Sequence, residues 1–464
     1  MKSRFKDFIE KNNLLNNCKS LLIAVSGGPD SLAMLNLFYK LSDDFEIKIA
    51  AAHLDHMFRE ESSAEADFVE KFARDKGIEF FRKSENLPEL IKKKNISAEA
   101  AARKVRFNFF SEIMNKYNYD SLALAHHRDD QAETVLLNLF RGSGLKGLSG
   151  IQPEVKVDKL KIIHPMLCFS KEEILAYCQK VNLKPRFDSS NEENIYSRNV
   201  IRNKIFPIVE NKINENAREI IARSSNIIAA EDQFIGQLAL KKYKEILIEE
   251  NSVKIIIDFN KFKDIDQVLQ RRIYRIIYNK INNNLDDLYF DHILEIEKLI
   301  VNDQTGRGID IASEIRVEIS YSHLIFYKKE ILNIDNQEQI EIKLNQEIQI
   351  DKKRSISSVV TAKKDFSFVD NSCRSAFDFN KLNFPLKIRR RKPGDKFIPL
   401  GMEGHKKVKD ILIDQKVPKY LRGEVPLVVD AADNIIWLAP YRISDDYKIT
   451  KETDKILILR LKYN

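Results

Sequence analysis

The stretch Leu21-Leu22-Ile23-Ala24-Val25-Ser26-Gly27-Gly28-Pro29-Asp30-Ser31 decides the fold. Its first five residues are apolar without interruption, which predicts a short strand buried on both faces of a parallel sheet. Leu32, Leu35 and Phe38 follow at helical spacing, so we expect a helix to begin directly after the loop. A strand, a glycine turn and a helix in this order form the unit from which α/β domains are built.

The loop 26–31 has the composition of an anion-binding turn. Its two glycines lack a Cβ, so backbone N–H groups can approach a phosphate closely, and Pro29 suits the first helical turn. The helix directs its N-terminal N–H groups and the positive end of its dipole at the loop. Asp30 is acidic inside this anion site, so we expect it to act through Mg²⁺. The structural alternative is a tight turn in which a serine or an aspartate caps the helix.

Alternating strands and helices extend to about residue 200. Outward from the loop we predict strands at 47–53, 78–81, 121–125 and 159–163, and helices at 64–76, 98–117, 131–140 and 171–182. This order predicts an α/β parallel sheet whose ligands bind beyond the carboxyl ends of the strands. The predicted domains are a nucleotide-binding catalytic domain at 1–210, a helical middle domain at 211–330 and a small α+β C-terminal domain at 331–464.

Length and composition restrict the class of protein. A chain of 464 residues predicts two or three domains, and its net charge of +8 is modest for that size. The four cysteines form no C-x-x-C pair, so the sequence indicates neither a zinc site nor a disulfide framework. No apolar run approaches the roughly 20 residues that cross a bilayer, and the first residues are not a signal segment. We therefore expect a cytoplasmic enzyme without membrane contact.

A second polar segment follows the strand predicted at 121–125. His126 begins it, and Asp130 and Glu133 are three residues apart, so they share one face of a helix. At the ligand edge of the sheet such paired carboxylates could hold Mg²⁺ or receive an ammonium group. The alternative is a capping box from Asp130 to Glu133 with no chemistry.

Two common nucleotide-binding motifs are not supported. No G-x-x-x-x-G-K-[ST] motif of Walker-type NTPases occurs in the chain. A G-x-G-x-x-G string at 142–147 follows a predicted helix instead of a strand, so it does not fit a dinucleotide-binding turn. We interpret it as a loop that could close over the site.

Several strings together resemble a known family. The S-G-G-x-D-S of the loop resembles the PP-loop family of ATP pyrophosphatases, and further strings are similar to its tRNA(Ile)-lysidine synthase branch. They are H-L-D-H-M-F-R at 53–59, E-A-A-A-R at 99–103, A-H-H-R-D-D-Q-A-E-T at 125–134, D-S-S-N at 188–191, Y-S-R-N-V-I-R at 196–202 and R-R-R-K-P-G-D-K-F at 389–397. The resemblance covers about residues 20–205 and 385–450.

The resemblance implies an ATP-dependent ligase that forms a carbon–nitrogen bond. It implies that the wobble cytidine of an isoleucine tRNA with a CAU anticodon is adenylated at its C2 oxygen, after which free L-lysine displaces AMP. It further implies a homodimer, ATP as substrate and Mg²⁺ as cofactor. The residues expected to bind ATP are those of the loop 26–31 together with Asp55 and His56.

The same resemblance assigns roles to other side chains. The expected catalytic residues are Asp30, Asp130, Glu133, His126, Arg103 and Arg106, and the expected metal ligands are Asp30 and Asp130. An equal alternative for Arg103 and Arg106 is a solvated basic helix face. An equal alternative for Asp55 and His56 is that they cap the next turn. Arg198 and Arg202 are expected to contact phosphate or tRNA, although their charge alone favours an exposed surface.

Positive charge is concentrated near the C-terminus. Residues 387–422 contain twelve lysines and arginines but four acidic residues, which favours a patch that contacts the backbone of a folded RNA. The predicted tRNA-binding residues there are Arg389, Arg390, Arg391, Lys392, Lys406 and Lys407. The alternative is a solvated charged surface.

Two other functions stay open on the sequence alone. One is a different PP-loop enzyme that thiolates tRNA, which the lack of a C-x-x-C pair weakens. The other is a non-catalytic tRNA-binding protein, which the complete loop 26–31 and the presence of Asp130 and Glu133 weaken.

Overall fold

The computed structural model describes residues 1–55, 57, 62–87, 98–157, 160–186, 197–285, 287–329, 339–351, 354–367, 373–418 and 421–463. For residues 62–65 and 98–100 it describes the backbone alone. The chain divides into two compact units, Met1–Phe234 and Ile235–Asn464. The division into three domains stays a prediction. His56, the string 188–191 and Tyr196 lie outside the described residues.

The first unit contains one six-stranded sheet with the order β3-β2-β1-β4-β6-β5. The strands are β1 Ser20–Ala24, β2 Lys48–Asp55, β3 Glu79–Ser84, β4 Ser121–Ala123, β5 Glu154–Val157 and β6 Leu160–Ile163. All neighbours are parallel except β5, which pairs antiparallel with β6 at the edge. The predicted parallel sheet is confirmed, and β5 is an addition that the sequence pattern did not predict.

Helices cover both faces of this sheet. The helices of this unit are α1 Lys2–Lys11, α2 Pro29–Tyr39, α3 Ser42–Phe45, α4 Ser62–Arg74, α5 Ala98–Tyr117, α6 Arg128–Phe140, α7 Leu145–Leu148, α8 Lys171–Lys180, α9 Ser197–Val200 and α10 Phe206–Lys212, with a π-helical turn at Ile201–Ile205. The helix α11 Ala217–Ile246 begins in this unit and ends in the second. Leu21 and Ile23 of β1 pack on one side with α1, α2 and α8, whereas Leu22 packs on the other side with α5. This alternation arises because successive strand residues point to opposite faces.

The strand order creates a crevice beside β1. From β1 the chain continues to β2 on one side, and it returns to pair β4 on the other side of β1. The loops that follow β1 and β4 therefore leave the same edge of the sheet side by side. Ligands of open α/β sheets bind at such a switch point, and here it joins the loop 26–31 to the segment that begins at His126.

The second unit begins with helices and an antiparallel sheet. The helices are α12 Phe259–Lys263, α13 Gln267–Asn282 and α14 Phe290–Asn302, and the strands are β7 Leu247–Glu250, β8 Lys254–Asp258, β9 Gly308–Asp310, β10 Ile315–Ser320 and β11 His323–Lys328. The helical character of this region is confirmed. Its five-stranded sheet was not predicted, because short apolar runs such as Ile255-Ile256-Ile257 fit a strand or a buried helix equally well.

The rest of the second unit is mostly β, as expected for the α+β C-terminal region. Its strands are β12 Ile340–Ile342, β13 Glu347–Asp351, β14 Arg354–Ala362, β15 Arg374–Asp378, β16 Leu386–Arg389, β17 Lys396–Phe397, β18 Lys406–Lys407, β19 Leu427–Val429, β20 Ile435–Leu438, β21 Arg442–Ile443 and β22 Lys455–Tyr463, with the helix α15 Val408–Asp414. They form sheets of five, four and two strands. Within the described ranges, no helix is long and apolar enough to cross a membrane.

Candidate active site

The loop 26–31 is held by its own serines. Gly27 has a φ of +89°, a conformation that a side chain would strain, and a Cβ there would lie 3.4 Å from Cγ2 of Val69. The Ser31 hydroxyl accepts from the Ser26 N–H at 3.1 Å and donates to the Gly28 carbonyl at 3.1 Å. Gly28 is the N-cap of α2 and offers no side chain to the first turn. The N-terminal end of α2 is thus shaped to receive an anion.

Asp30 lies in the first turn of α2 and forms an ion pair that the sequence did not predict. The Lys171 ammonium donates to both carboxylate oxygens, at 2.8 and 2.7 Å. His127 Nε2 lies 3.9 Å from one of these oxygens. Lys171 is the first residue of α8, and its backbone N–H donates to Asp129 at 3.0 Å. The structure therefore joins the loops after β1 and β4 through α8.

The segment after β4 forms a capped helix. His127 is the N-cap of α6, and its backbone N–H donates to the Asp130 carboxylate at 2.9 Å. The Asp130 carboxylate thus caps the backbone N–H of His127, and the alternative box from Asp130 to Glu133 is wrong because the N-cap is His127. Nδ1 of His126 and Nδ1 of His127 are buried and lack a hydrogen-bond partner within the described part of the chain. Such buried polar atoms are uncommon, which favours a ligand-binding role for this corner.

Arg198 and Arg202 form ion pairs with the two carboxylates of α6. Arg198 Nε donates to Glu133 at 2.8 Å and its Nη2 to Asp130 at 3.1 Å. Arg202 donates to the two Glu133 oxygens at 2.6 and 2.9 Å and to Asp130 at 3.2 Å. The Glu133 side chain is 1% exposed, whereas the arginines are 37% and 33% exposed. The sequence placed all four residues in functional roles, but it did not predict that they contact one another.

Electrostatics keep Asp130 ionised and His126 neutral. Burial would raise the pKa of the Asp130 carboxyl, but His127, Arg198 and the hydrogen bond from the His127 backbone lower that pKa to about 2. Burial lowers the pKa of His126 to about 3, although the negative charge of Asp130 acts to raise it. The His126 ring lies 5.0 Å from the ring of His164, whose pKa burial also lowers. This corner therefore offers the ionised carboxylate of Asp130 beside the neutral imidazoles of His126 and His164.

The remaining catalytic and nucleotide-binding predictions fall at the edge of this centre. Arg103 lies 5.0 Å from the ring centroid of Phe107, and both Arg103 and Arg106 are exposed. Burial, His164 and Arg198 lower the pKa of His126, and the charge of Arg106 adds a smaller effect in the same direction. Asp55 is buried and accepts from the Met57 N–H at 2.9 Å, which fits the turn-capping alternative.

A metal ion at this site would depend on its substrate for most ligands. Within the described ranges, no group of three or more His, Cys, Asp or Glu side chains could hold a metal. Mg²⁺ is commonly bound by one or two carboxylates together with water and substrate phosphates. The Asp30 carboxylate at the mouth of the anion loop fits that arrangement. Asp130 fits it less well, because it accepts hydrogen bonds from two arginines.

The predicted basic patch contains both structural and exposed residues. Arg389 is buried, and its guanidinium donates to Asp395 at 2.8 and 2.9 Å and to Asp433 at 2.6 Å. This corrects the expectation for Arg389, since a buried and fully paired guanidinium cannot reach an RNA. Lys392 pairs with Asp433 at 2.9 Å, and Lys406 pairs with Asp414.

The other basic side chains of the patch differ in exposure. Arg391, Lys396 and Lys407 are exposed, and Arg390 is half-buried. Lys396 and Lys407 lie directly opposite each other on the β17–β18 ribbon. Like charges in this position destabilise a ribbon, and an anionic ligand would relieve their repulsion.

Acidification is expected to destabilise the first unit through its buried histidines. An unfolded histidine has a pKa of about 6.5, whereas folded His126 has a pKa of about 3, so between these values the unfolded state binds a proton that the folded state does not. The contribution of neutral His126 to the free energy of unfolding is therefore fully present above pH ~6.5 and decreases as the pH falls toward 3. His126 alone should contribute a loss of about 1–2 kcal/mol by pH 5, and burial of His53 and His164 acts in the same direction.

Urea unfolding at pH 7 and pH 5 measures this loss. The His126→Gln variant should lose less stability on acidification than the wild type. Substitution of the exposed His405 by glutamine should leave the difference unchanged. Equal losses for His126→Gln and the wild type would contradict the assignment.

Comparison with known proteins agrees with the geometry. The protein-family model of the PP-loop domain matches residues 1–209, and the family model of the TilS substrate C-terminal domain matches residues 386–461. The chain is 33% identical over 459 residues to a tRNA(Ile)-lysidine synthase of Caldanaerobacter subterraneus subsp. tengcongensis, covering 97% of this chain and 95% of that protein. It is 36% identical over 456 residues to a tRNA(Ile)-lysidine synthase of Clostridioides difficile, covering 97% and 96%.

Among solved structures, the U34-tRNA thiolase NcsA of Methanococcus maripaludis is similar with a TM-score of 0.42 and 22% identity, covering 49% of this chain and 77% of that one. This likeness is too weak to bear on function. The full-length relatives and the two matched domains, together with the loop 26–31 and the carboxylates of α6, lead to one assignment. The chain belongs to the tRNA(Ile)-lysidine synthase family of PP-loop enzymes.

Proposed function

We propose that this enzyme ligates L-lysine to C2 of the wobble cytidine in isoleucine tRNA with a CAU anticodon, and that ATP drives the reaction. The observation that carries the proposal is the position of two different sites at neighbouring strand ends. An anion-binding loop follows β1, and a set of two buried carboxylates and two partly exposed arginines lies beside β4. Adenylation needs the first of these sites, and capture of an amino acid needs the second.

The first step transfers AMP to the tRNA. The C2 oxygen of the cytidine attacks the α-phosphorus of ATP, the bond to the β-phosphate oxygen breaks, and pyrophosphate leaves with the electron pair. N–H groups at the start of α2 and the hydroxyl of Ser26 would hold the phosphates. Asp30 would hold Mg²⁺, which supplies positive charge to the phosphates when it is bound.

The second step uses the charged set beside β4. Asp130 and Glu133 would receive the α-ammonium of lysine, and Arg198 and Arg202 would receive its α-carboxylate, because a free amino acid carries both charges. The ε-amine then attacks C2, the bond from C2 to the phosphate-bearing oxygen breaks, and AMP leaves. Holding the amine against C2 lowers the entropic part of the barrier. The ε-amine is mostly protonated in water, so a nearby carboxylate would assist its deprotonation.

Incubation with ATP, radiolabelled lysine and the tRNA tests the proposal. We expect label in the RNA, with AMP and pyrophosphate released only when the tRNA is present. The same tRNA with uridine at the wobble position is the matched control and should stay unlabelled. Absence of label in the cytidine tRNA, with an active reference enzyme in parallel, would reject the proposal. AMP release that does not depend on lysine would instead favour a different acceptor, such as the sulfur of a thiolase.

Lys396 and Lys407 provide a test of tRNA binding by the second unit. Replacing both by glutamine should weaken tRNA binding and reduce the slope of log K against log salt by about 1–2, since each phosphate contact contributes about 0.7–0.9. Filter binding at several salt concentrations measures both quantities. Lys364 and Lys451, which are exposed in the same unit, are the matched double control. An unchanged slope in the Lys396/Lys407 variant would remove the ribbon from the RNA interface.

The setting of the reaction follows from its substrates. A chain that modifies tRNA with ATP and free lysine would work in the cytoplasm. Assembly as a homodimer stays a prediction, and sedimentation of the purified protein with and without tRNA would test it.

A further inference from the structure

Lys171 forms a close ion pair with the loop that binds ATP in the proposed function. Its ammonium contacts both oxygens of Asp30, and the two side chains are 37% and 26% exposed. A half-exposed ion pair of this kind contributes little to stability, typically about 0–1 kcal/mol. The geometry therefore raises the question of what a cation does at this carboxylate.

The fold does not need the Lys171 side chain to place α8. Ser170 caps α8 and accepts from the Glu173 N–H at 3.2 Å, and the Lys171 backbone N–H donates to Asp129. Packing of α8 against α2 includes a hydrogen bond of 2.8 Å from Asn36 to the hydroxyl of Tyr177. These contacts hold the helix without the ammonium group, which leaves the Lys171 side chain available for chemistry.

Charge balance at the loop explains the pairing. Asp30 alone would repel the phosphates that the loop 26–31 is shaped to receive, and Lys171 neutralises it. A divalent cation that enters with ATP would compete for the same two oxygens. Once displaced, the ammonium would lie next to the phosphates, because its backbone is fixed beside the loop and its side chain is long and flexible.

We propose that Lys171 occupies the cation position at Asp30 until Mg²⁺ and ATP bind, and then moves onto the oxygens of the departing pyrophosphate. This inference rests on the proposed function. Lys171 moves no proton in the step: the bond from the α-phosphorus to the β-phosphate oxygen breaks, and the ammonium stabilises the negative charge that pyrophosphate gains. Lys171 is thus a catalytic residue of adenylation and a competitor of the free metal ion.

Two measurements on the full-length protein test both parts. In the first, Mn²⁺ alone is titrated without ATP and followed by electron paramagnetic resonance. Lys171→Met should bind Mn²⁺ several-fold more tightly than the wild type, and Lys171→Met combined with Asp30→Asn should lose that gain. The second measurement is single-turnover release of pyrophosphate in the presence of tRNA. Lys171→Met should release pyrophosphate about 100-fold more slowly than the wild type, as expected for loss of one charge-stabilising donor. The KM for ATP should change much less, and Lys171→Arg should recover part of the rate.

Lys180, exposed in the last turn of the same helix, provides the matched control. Lys180→Met should resemble the wild type in both measurements. An unchanged Mn²⁺ affinity of Lys171→Met would overturn the proposal, and so would a release rate within about threefold of the wild type, well short of the loss expected for a transition-state contact. A large fall in the melting temperature of Lys171→Met would also overturn it and assign a structural role. The Mn²⁺ titration needs neither tRNA nor lysine, so failure of the wild type to label tRNA would reject the proposed function alone.

Discussion

Replacing Asp30 with alanine is expected to stop pyrophosphate release, with a loss of at least about 10³ in rate, while tRNA binds as before. The reason is that Asp30 is the carboxylate at the mouth of the anion loop and the group that would bring Mg²⁺ to the phosphates. Asp30→Asn keeps the shape of the side chain and removes its charge, so it should show nearly the same loss. Both rates are measured in single turnovers with saturating ATP and tRNA.

An exposed aspartate of the same unit serves as the control for this substitution. Asp43 lies in the short helix α3, and Asp43→Ala should leave pyrophosphate release and tRNA affinity unchanged. If Asp30→Ala lost tRNA binding together with release, the loop would be a structural element of the RNA site. If it retained release, no carboxylate would be needed at this position.

Replacing Glu133 with glutamine is expected to separate the two steps. Pyrophosphate release should persist, because Glu133 contacts arginines and not the loop 26–31. The KM for lysine should rise at least about 30-fold, as expected when one partner of a buried charge pair is removed. Stability should fall by about 2 kcal/mol. That value is less than the full cost of breaking a buried pair, because both guanidinium groups are about one-third exposed.

Lysine incorporation at varied lysine concentration and urea unfolding measure these two effects. Glu172→Gln is the matched control, because Glu172 is exposed in the first turn of α8. Adenylated tRNA should accumulate in Glu133→Gln when lysine is low. A normal KM for lysine combined with lowered stability would mean that Glu133 only holds the protein together.

The sequence predicted those features that arise from neighbouring residues. The apolar run at 21–25 and the glycines after it were enough to place a strand, a turn and a helix, since their interactions are local. The contact of Lys171 with Asp30 joins residues 141 positions apart, and that of Arg198 with Glu133 joins residues 65 apart. No local pattern signals such pairs. A lysine directly after a capping serine is common in helices, so Lys171 gave no signal of its function.

The basic patch shows a different limit of sequence reasoning. Charge density in 387–422 predicted an RNA surface, but composition cannot distinguish the buried Arg389 from the exposed Lys407. Arg389 is buried because it pairs with acidic residues, and one of these, Asp433, lies outside the basic stretch. Burial thus depended on packing that the sequence pattern does not contain.

The four-residue set of Asp130, Glu133, Arg198 and Arg202 also has an evolutionary consequence. Each member contacts two partners of opposite charge, so loss of any one leaves an unbalanced charge within the set. A lineage could not exchange these residues one at a time without passing through a less stable intermediate. Change at this corner would require paired substitutions, one on α6 and one on the α9 and π-helical segment. Single substitutions in this set are therefore expected to be rare among related sequences.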